Sequence, residues 1–238
     1  MKETVVCCYI FPIIDDRFFA SAERFARSYA FHSPGLEHEL LIVLKNDNHV
    51  VPSEVYRIFE GLSCEFQVHP NEGYDIASYI TVARQAARHD LVCCIGAYTS
   101  FRADNWLAKL CRPMAQDVTV GLVGAFGSYE LNPHIRTSLF VLRASIFQEM
   151  HWPQIATKVD GFMFECGPDS LTQRMLRRGA KCLVVDCEGN SFGLNEWGSM
   201  GGFRQGDQSK LLAWDNHCEE FARGDEEHKK YLRALARF

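Results

Sequence analysis

Four groups of residues in this 238-residue chain are of types that could do chemistry. The first is Asp15, Asp47, Asp75 and the stretch Gly96-Ala97-Tyr98-Thr99-Ser100, each placed just after an apolar run. The second is Asn71-Glu72-Gly73-Tyr74-Asp75, which puts a flexible glycine, an aromatic face and a carboxylate side by side. Such a cluster suits a site that holds a base and bonds a ribose. It reads equally well as a turn followed by a helix cap, because Asp15 and Asp75 each precede a helical pattern, where a side-chain oxygen accepts from an unpaired backbone N–H.

The third group is His134, Arg136 and Thr137, followed by residues 160–170 with Asp160, Glu165 and Asp169. Asp169 and Ser170 stand where a helix would be capped. Glu165 lies between Phe164 and Cys166 in an apolar stretch, and a buried acid needs a partner or a task. A fixed, partly desolvated carboxylate in a glycine-bounded loop is what a general base requires. The fourth group is Phe203-Arg204-Gln205-Gly206-Asp207-Gln208 with Asp215-Asn216-His217 downstream. Arg204 could offer its paired donors to phosphate oxygens, or the segment is an ordinary polar turn. His32, His49, His89 and His228 stand alone and suggest no function.

The elements that must position these groups follow from periodicity. Residues 4–14, 38–44, 64–68 and 90–96 are apolar runs of strand length. Residues 15–29, 52–62 and 75–88 carry apolar positions at helical spacing between them. Strands buried on both faces and separated by helices predict an α/β domain with a mainly parallel sheet and ligands outside the carboxyl ends of its strands. The second half adds a helix at 106–114, a strand at 118–126, a strand at 138–142, helices at 144–150 and 168–179, and a strand at 181–185. Residues 186–208 are glycine-rich and read as a long functional loop or lid, and residues 211–214 and 219–238 as terminal helices. Nothing divides the chain, so one domain is expected.

Composition closes several classes. An apolar fraction of 47% with 23% charged residues belongs to a folded globular chain. Thirty acidic against 25 basic side chains, with no basic cluster beyond Arg174, Arg177 and Arg178, leave no nucleic-acid footprint. The ten cysteines lack zinc or redox spacing, and Cys7, Cys8, Cys93 and Cys94 sit in apolar runs as small hydrophobes, which points to a reduced cytoplasm. No run approaches the length of a transmembrane segment, and the N-terminal run reads as a strand, not a signal peptide. No phosphate loop, dinucleotide fingerprint, serine elbow or paired-histidine zinc motif is present.

The chain resembles bacterial glycosyltransferases of the GT-A type, in particular the broad family-two group and the rhamnan-synthesis proteins. The resemblance rests on residues 4–11, Asn71-Glu72-Gly73-Tyr74-Asp75-Ile76, Asp104-Asn105-Trp106-Leu107, residues 121–128 and His134-Ile135-Arg136-Thr137-Ser138. It continues through Phe164-Glu165-Cys166-Gly167, Ser170-Leu171-Thr172, Phe203 to Gln208 and Asp215-Asn216. It implies a single Rossmann-like GT-A domain with a mixed, mainly parallel central sheet flanked by helices. Residues 1–128 would be a nucleotide-binding half, and residues 129–238 an acceptor half with the lid loop and a C-terminal helix.

The implied activity is sugar transfer from a nucleotide-sugar donor to a glycan or lipid-linked acceptor in surface polysaccharide assembly, with inversion. Asp47 and Asp75 would contact base or ribose, with Gly73 and Tyr74 as the wall beside them. Ser100, His134, Arg136, Arg204, Gln205, Asp207 and Gln208 would complete the substrate site, and Glu165 or Asp160 would be the base. The family usually binds manganese or magnesium through an Asp-x-Asp motif after the fourth strand. Here that position reads Gly96-Ala97-Tyr98-Thr99-Ser100, without an acid; Asp104, eight residues past Gly96, is a weak substitute, and no metal ligand is assigned. Without metal, Arg136, Arg204 and the N–H groups near Ser100 must neutralise the leaving diphosphate. The rival expectation is a non-catalytic module of the same fold. A nucleotidyltransferase would need a basic glycine-rich loop near residue 15 and two metal-binding acids, which are lacking.

Overall fold

A computed structural model describes residues 3–48, 50–86 and 88–237. Met1, Lys2, His49, Ala87 and Phe238 lie outside the described residues, so the reading of His49 has no structural counterpart. The first half alternates as the periodicity predicts: Val5–Pro12 (β1), Asp16–Phe31 (α1), Glu39–Lys45 (β2), Ser53–Ile58 (α2), Glu65–His69 (β3), Tyr74–Gln85 (α3) and Leu91–Ile95 (β4). After it come Ser100–Phe101 (β5), Trp106–Gln116 (α4), Val120–Gly124 (β6), Gly127–Ser128 (β7), His134–Ile135 (β8), Leu139–Arg143 (β9) and Ala144–Glu149 (α5). The chain ends with Lys158–Cys166 (α6), Leu171–Arg177 (α7), Lys181–Val185 (β10), Ser191–Phe192 (β11), Ala213–Trp214 (β12), Asn216–Arg223 (α8) and Glu226–Ala236 (α9).

Eight strands form the central sheet in the order β11-β10-β6-β9-β4-β1-β2-β3. β9 runs antiparallel between β4 and β6, and β11 antiparallel to β10, while every other neighbouring pair is parallel. β1 is buried along its whole length because helices cover both faces of the sheet. On one face the Tyr9 ring stacks on Phe25 of α1 at 3.7 Å, and Phe101 stacks on Trp106 of α4 at 3.8 Å. On the other, Tyr79 of α3 meets Phe140 of β9 edge to face at 5.6 Å. Cys7, Cys8, Cys93 and Cys94 are fully buried as free thiols in the paired strands β1 and β4. No helix among the described residues is long and apolar enough to cross a membrane.

Beyond the added short strands β5, β7, β8 and β11, two segments change type from the sequence reading. Residues 158–166, expected within a loop, form α6, whose first turn is closed by a reciprocal capping box between Thr157 and Asp160. Residues 211–214, expected to be helical, include the short strand β12, which pairs antiparallel with β5. Residues 190–208 are tied down: Trp197 is fully buried, and its indole fills the space where a side chain at Gly127 would lie.

Leu142 in β9 is fully buried between β4 and β6. Leu142→Ala is expected to destabilise the fold by about 2–5 kcal/mol, read as a lower urea midpoint at unchanged slope.

Candidate functional site

The carboxyl ends of β1, β2, β3 and β4 gather the first-half residues. Lys45 closes β2 and is almost fully buried, and its ammonium donates to the carbonyls of Glu72 and Tyr74. Those carbonyls are within its reach because the loop turns through two left-handed residues, Gly73 at φ 65° and Tyr74 at φ 52°. A Cβ at position 73 would lie 2.4 Å from that of Ala77, so glycine is required on both counts. Asp47 fastens the same loop by accepting from the Asn71 N–H at 2.7 Å.

Asp75, in the first turn of α3, accepts from the Ala97 N–H at 3.3 Å. Burial raises its pKa to about 6, against the opposing pull of that N–H and of Lys45. The Ala97 carbonyl accepts from Tyr9 Oη at 3.0 Å and Ser21 Oγ at 2.8 Å, so the turn after β4 is fixed from three sides. Ser100 leaves this turn into β5 and pairs with Trp214.

The second half meets that turn through Ser138. Its carbonyl accepts from the Gly96 N–H at 2.7 Å and Thr99 Oγ1 at 2.8 Å, and its hydroxyl donates to Asp215 Oδ2 at 2.8 Å. Beside it the buried Arg136 guanidinium lies 3.5 Å from Glu165 Oε1 and 3.6 Å from Asp215 Oδ2, with Phe203 beneath it at 4.6 Å. Glu165 also accepts from the Thr137 N–H at 2.7 Å and Thr137 Oγ1 at 2.6 Å. Burial pushes its pKa up, but Arg136, His134 and the Thr137 bonds outweigh that and hold it at about 2. Asp215 is likewise buried and held below the usual range, chiefly by Arg136 against its desolvation. His134 is buried, which lowers its pKa; its Nδ1 bonds to the Asn132 carbonyl at 2.8 Å, and its Nε2 lies 3.9 Å from Glu165.

Arg204 lies on the other side of Phe203 in the sequence and again over its ring, at 5.0 Å. Its nearest carboxylates are Glu130 at 3.7 Å and Glu220 at 4.0 Å, both beyond hydrogen-bond reach. Gln208 holds the Arg204 N–H and donates to the Cys218 carbonyl, and Gln205 bridges the Gly201 N–H and the Trp197 carbonyl. Both glutamines therefore shape the loop. Asp207 is exposed and closes a turn on the Ser209 N–H.

The expected site residues thus divide. Asp47, Gly73, Tyr74, Asp75 and Ser100 line one stretch of the sheet edge, and His134, Arg136, Glu165 and Arg204 form a network that Ser138 joins to it. Asp160 stands at the opposite end of α6 from Glu165, and its carboxylate accepts from the backbone of Ala156 and Thr157 and from the Thr157 hydroxyl. These bonds give Asp160 a capping role and Glu165 an ion-pair role, both of which lower their basicity. Sequence reasoning passed over Lys45 and Glu130, and it noted Ser138, Asp215 and His217 without giving them a role. Lys45 had a signal, as a lone charge ending an apolar strand; Glu130 had none. A hollow of about 400 Å³ lies away from this edge beside α7, but its arginines, Arg174, Arg177 and Arg178, are all bonded to acids or carbonyls.

No family model matches the sequence, and no curated protein matches it closely enough to count as a relative. Among solved structures, GalNAc-T7 with UDP, GalNAc and Mn²⁺ superposes on 99% of this chain and 55% of its own, with a TM-score of 0.56 at 14% identity. The mannosyltransferase PcManGT from Pyrobaculum calidifontis, in complex with GDP-Man and Mn²⁺, is similar over 60% of this chain and 45% of its own, with a TM-score of 0.47 at 18% identity. The fold is of the GT-A type. This chain spans about half the length of those two solved chains.

The GalNAc-T7 structure holds manganese, an ion that requires several oxygen donors. The turn after β4 offers no acid, and among the described residues no three His, Cys, Asp or Glu side chains gather as an ion cage. Asp75 accepts from Ala97 and keeps acceptor capacity, but it is one carboxylate, and Asp215 is taken up by the N–H groups of His217 and Cys218 and by Ser138. Asp104 points elsewhere, accepting from the Ser33 N–H. These residues do not fit a hard divalent cation, which takes several free carboxylate oxygens.

The Glu165 network sets an acid limit. With its pKa lowered from an ordinary 4.5 to about 2, its contribution is fully present above pH 4.5 and is lost as pH falls toward 2. Urea midpoints measured from pH 6 to pH 2.5 should drop across that window by roughly 2–3 kcal/mol of stability. Glu165→Gln should be less stable at pH 6, because Arg136 loses a buried partner, and should show a flatter acid limb.

Proposed function

We propose that this chain is a glycosyltransferase that moves a sugar from a nucleotide-sugar donor to a hydroxyl acceptor, of the bacterial rhamnan-synthesis-like kind and with inversion. The observation that carries the reading is Asp75: a carboxylate with a raised pKa, kept at the strand ends among Lys45, Asp47, Gly73 and Tyr74 on a GT-A fold. A carboxylate bonded by a single backbone N–H retains acceptor capacity for the N–H and O–H donors of a base and ribose. Residues 1–128 are then the nucleotide half and residues 129–238 the acceptor half.

In the reaction the acceptor oxygen forms a bond to the anomeric carbon while the bond from that carbon to the phosphate oxygen breaks. The electron pair leaves with the nucleoside diphosphate, and the acceptor proton passes to a base. Glu165 and Asp160 were the expected bases, but a carboxylate near pKa 2 is a poor proton acceptor and a capping carboxylate is already bonded. His217 suits the role better. Its imidazole is part-exposed, burial keeps it neutral near pH 7, and it shares the fields of Arg136, Asp215, Arg204 and Glu165. The absence of an acid pair after β4 favours the rival reading, a binding module without turnover.

A calorimetric screen of nucleoside diphosphates and nucleotide-sugars tests the reading: saturable binding of one donor is expected, and silence across the panel leaves the binding module. Asp75→Asn should weaken that binding at least tenfold while raising stability. The sign follows from its raised pKa: ionisation of the folded carboxylate lowers stability as pH climbs from about 4 through 6, and asparagine avoids this. Above pH 6.5 the variant should therefore be more stable by roughly 1–3 kcal/mol. His217→Gln should cut kcat by about 10²-fold or more and leave donor affinity within a factor of about two.

A further inference from the structure

We propose that the open edge of the central sheet, at β3, is an interface for a second copy of this chain, the two β3 strands pairing antiparallel about a twofold axis at Gln67. This interface is independent of the transferase reading. A strand at a sheet edge carries a row of backbone groups without partners, and folded proteins blunt such edges with charges, prolines, bulges or very short strands. The edge at β11 is blunted in that way, being two residues long. β3 is not. Its register with β2 runs unbroken over five residues, and its middle, Phe66-Gln67-Val68, holds neither charge nor proline.

One bond fixes the direction of its backbone groups. The His69 carbonyl accepts from the Asn46 N–H at the end of β2, so His69, Gln67 and Glu65 address β2, and the alternate residues Phe66 and Val68 address the open side. Among the described residues no bond from elsewhere reaches those outward groups. The helices also leave both faces near this edge uncovered. α3 packs on β1, α5 and α6, and between it and β3 lies a hollow of about 400 Å³, walled by Gln67, His69, Thr81 and Gln85. On the opposite face Phe66 meets the Tyr56 ring edge to face at 5.1 Å, yet Tyr56 remains 49% exposed and Val68 37%.

The sequence of β3 selects the occupant, because it complements itself when reversed. With Gln67 opposite Gln67 of the second copy, Phe66 lies opposite Val68 of the second copy, and the two exchange both backbone bonds, so every outward group is used. An aromatic ring against a β-branched side chain is a favourable cross-strand pair, and it covers the apolar surface of Val68 and Tyr56. Glu65 falls opposite His69, an acid against an imidazole, at both ends of the pairing. The facing Gln67 amides each offer a donor and an acceptor. Moving the axis to Val68 would set Phe66 against Pro70, which has no N–H, and moving it to Phe66 would set Val68 against Cys64. Either shift loses the acid–imidazole pair.

The test is sedimentation of the full chain from about 5 µM to about 500 µM, where a small interface of this kind associates. The expected mass rises toward twice that of the monomer. Gln67→Lys sets two ammonium groups face to face and should weaken association by about tenfold or more at an unchanged urea midpoint. Val68→Pro removes an outward N–H without touching the ladder to β2 and should do the same. Cross-linking reads the register. In a Cys64→Ser background, Gln67→Cys should give a disulfide-linked dimer with oxidised glutathione, while Glu65→Cys, which faces His69, should not. If Gln67→Lys lowers the urea midpoint, the cross-linking pair decides. A chain that stays monomeric across the range overturns the proposal. So does a dimer that a folded Gln67→Lys variant leaves unchanged, or Glu65→Cys linking as readily as Gln67→Cys. Donor binding is read separately by calorimetry, so neither result depends on the other.

Discussion

The buried guanidinium of Arg136 is the constraint on which the second half of the molecule depends. A charge taken out of water must be met by opposite charge at close range, or it destabilises the fold by several kcal/mol. Two carboxylates meet it, and each belongs to a different element: Glu165 to α6 and Asp215 to the N-terminus of α8. Glu165 in turn orders the Thr137 backbone, Asp215 orders Ser138, and Phe203 packs under the guanidinium. One cation therefore fixes the relative positions of two helices, the start of β9 and the loop that carries Arg204. The Ser138 carbonyl then transmits that arrangement to the turn after β4, the shared floor of both halves.

Two buried acids show how environment separates roles within one site. Glu165 has a cation and two hydrogen-bond donors, and its pKa falls to about 2. Asp75 has one long N–H bond and a lysine whose own donors are turned to carbonyls, and its pKa rises to about 6. A saturated carboxylate holds structure, while an under-bonded one has capacity left for a ligand.

Much of the fold was legible because the signals are local. Apolar runs of strand length and helical spacing identify the first seven elements from residue 5 to residue 95, and turn residues bound them. The loop Asn71–Asp75 was legible as a turn bearing polar groups at the strand ends because a glycine, an aromatic residue and an acid stand together. The elements misread were those whose stability is tertiary. α6 contains Gly161 and has weak apolar periodicity, so its helix depends on the Thr157 cap and on packing. β12 is two residues long and exists through its pairing with β5. The antiparallel direction of β9 left no mark in its composition, since a strand buried on both faces reads alike in either sense.

By itself, then, the sequence determined the α/β alternation, the strand ends that would carry the polar groups, the missing acid pair after β4 and the residue types available for catalysis. Only the tertiary structure decided which of those groups are already bonded to one another. Nothing local distinguishes Glu165 from Asp75 as an acid. The difference arises because Arg136, 29 positions before Glu165 along the chain, folds against one of them, while the Ala97 N–H is what the other receives. Pairing of buried charges depends on approach through space, and spacing along a chain carries little of that information.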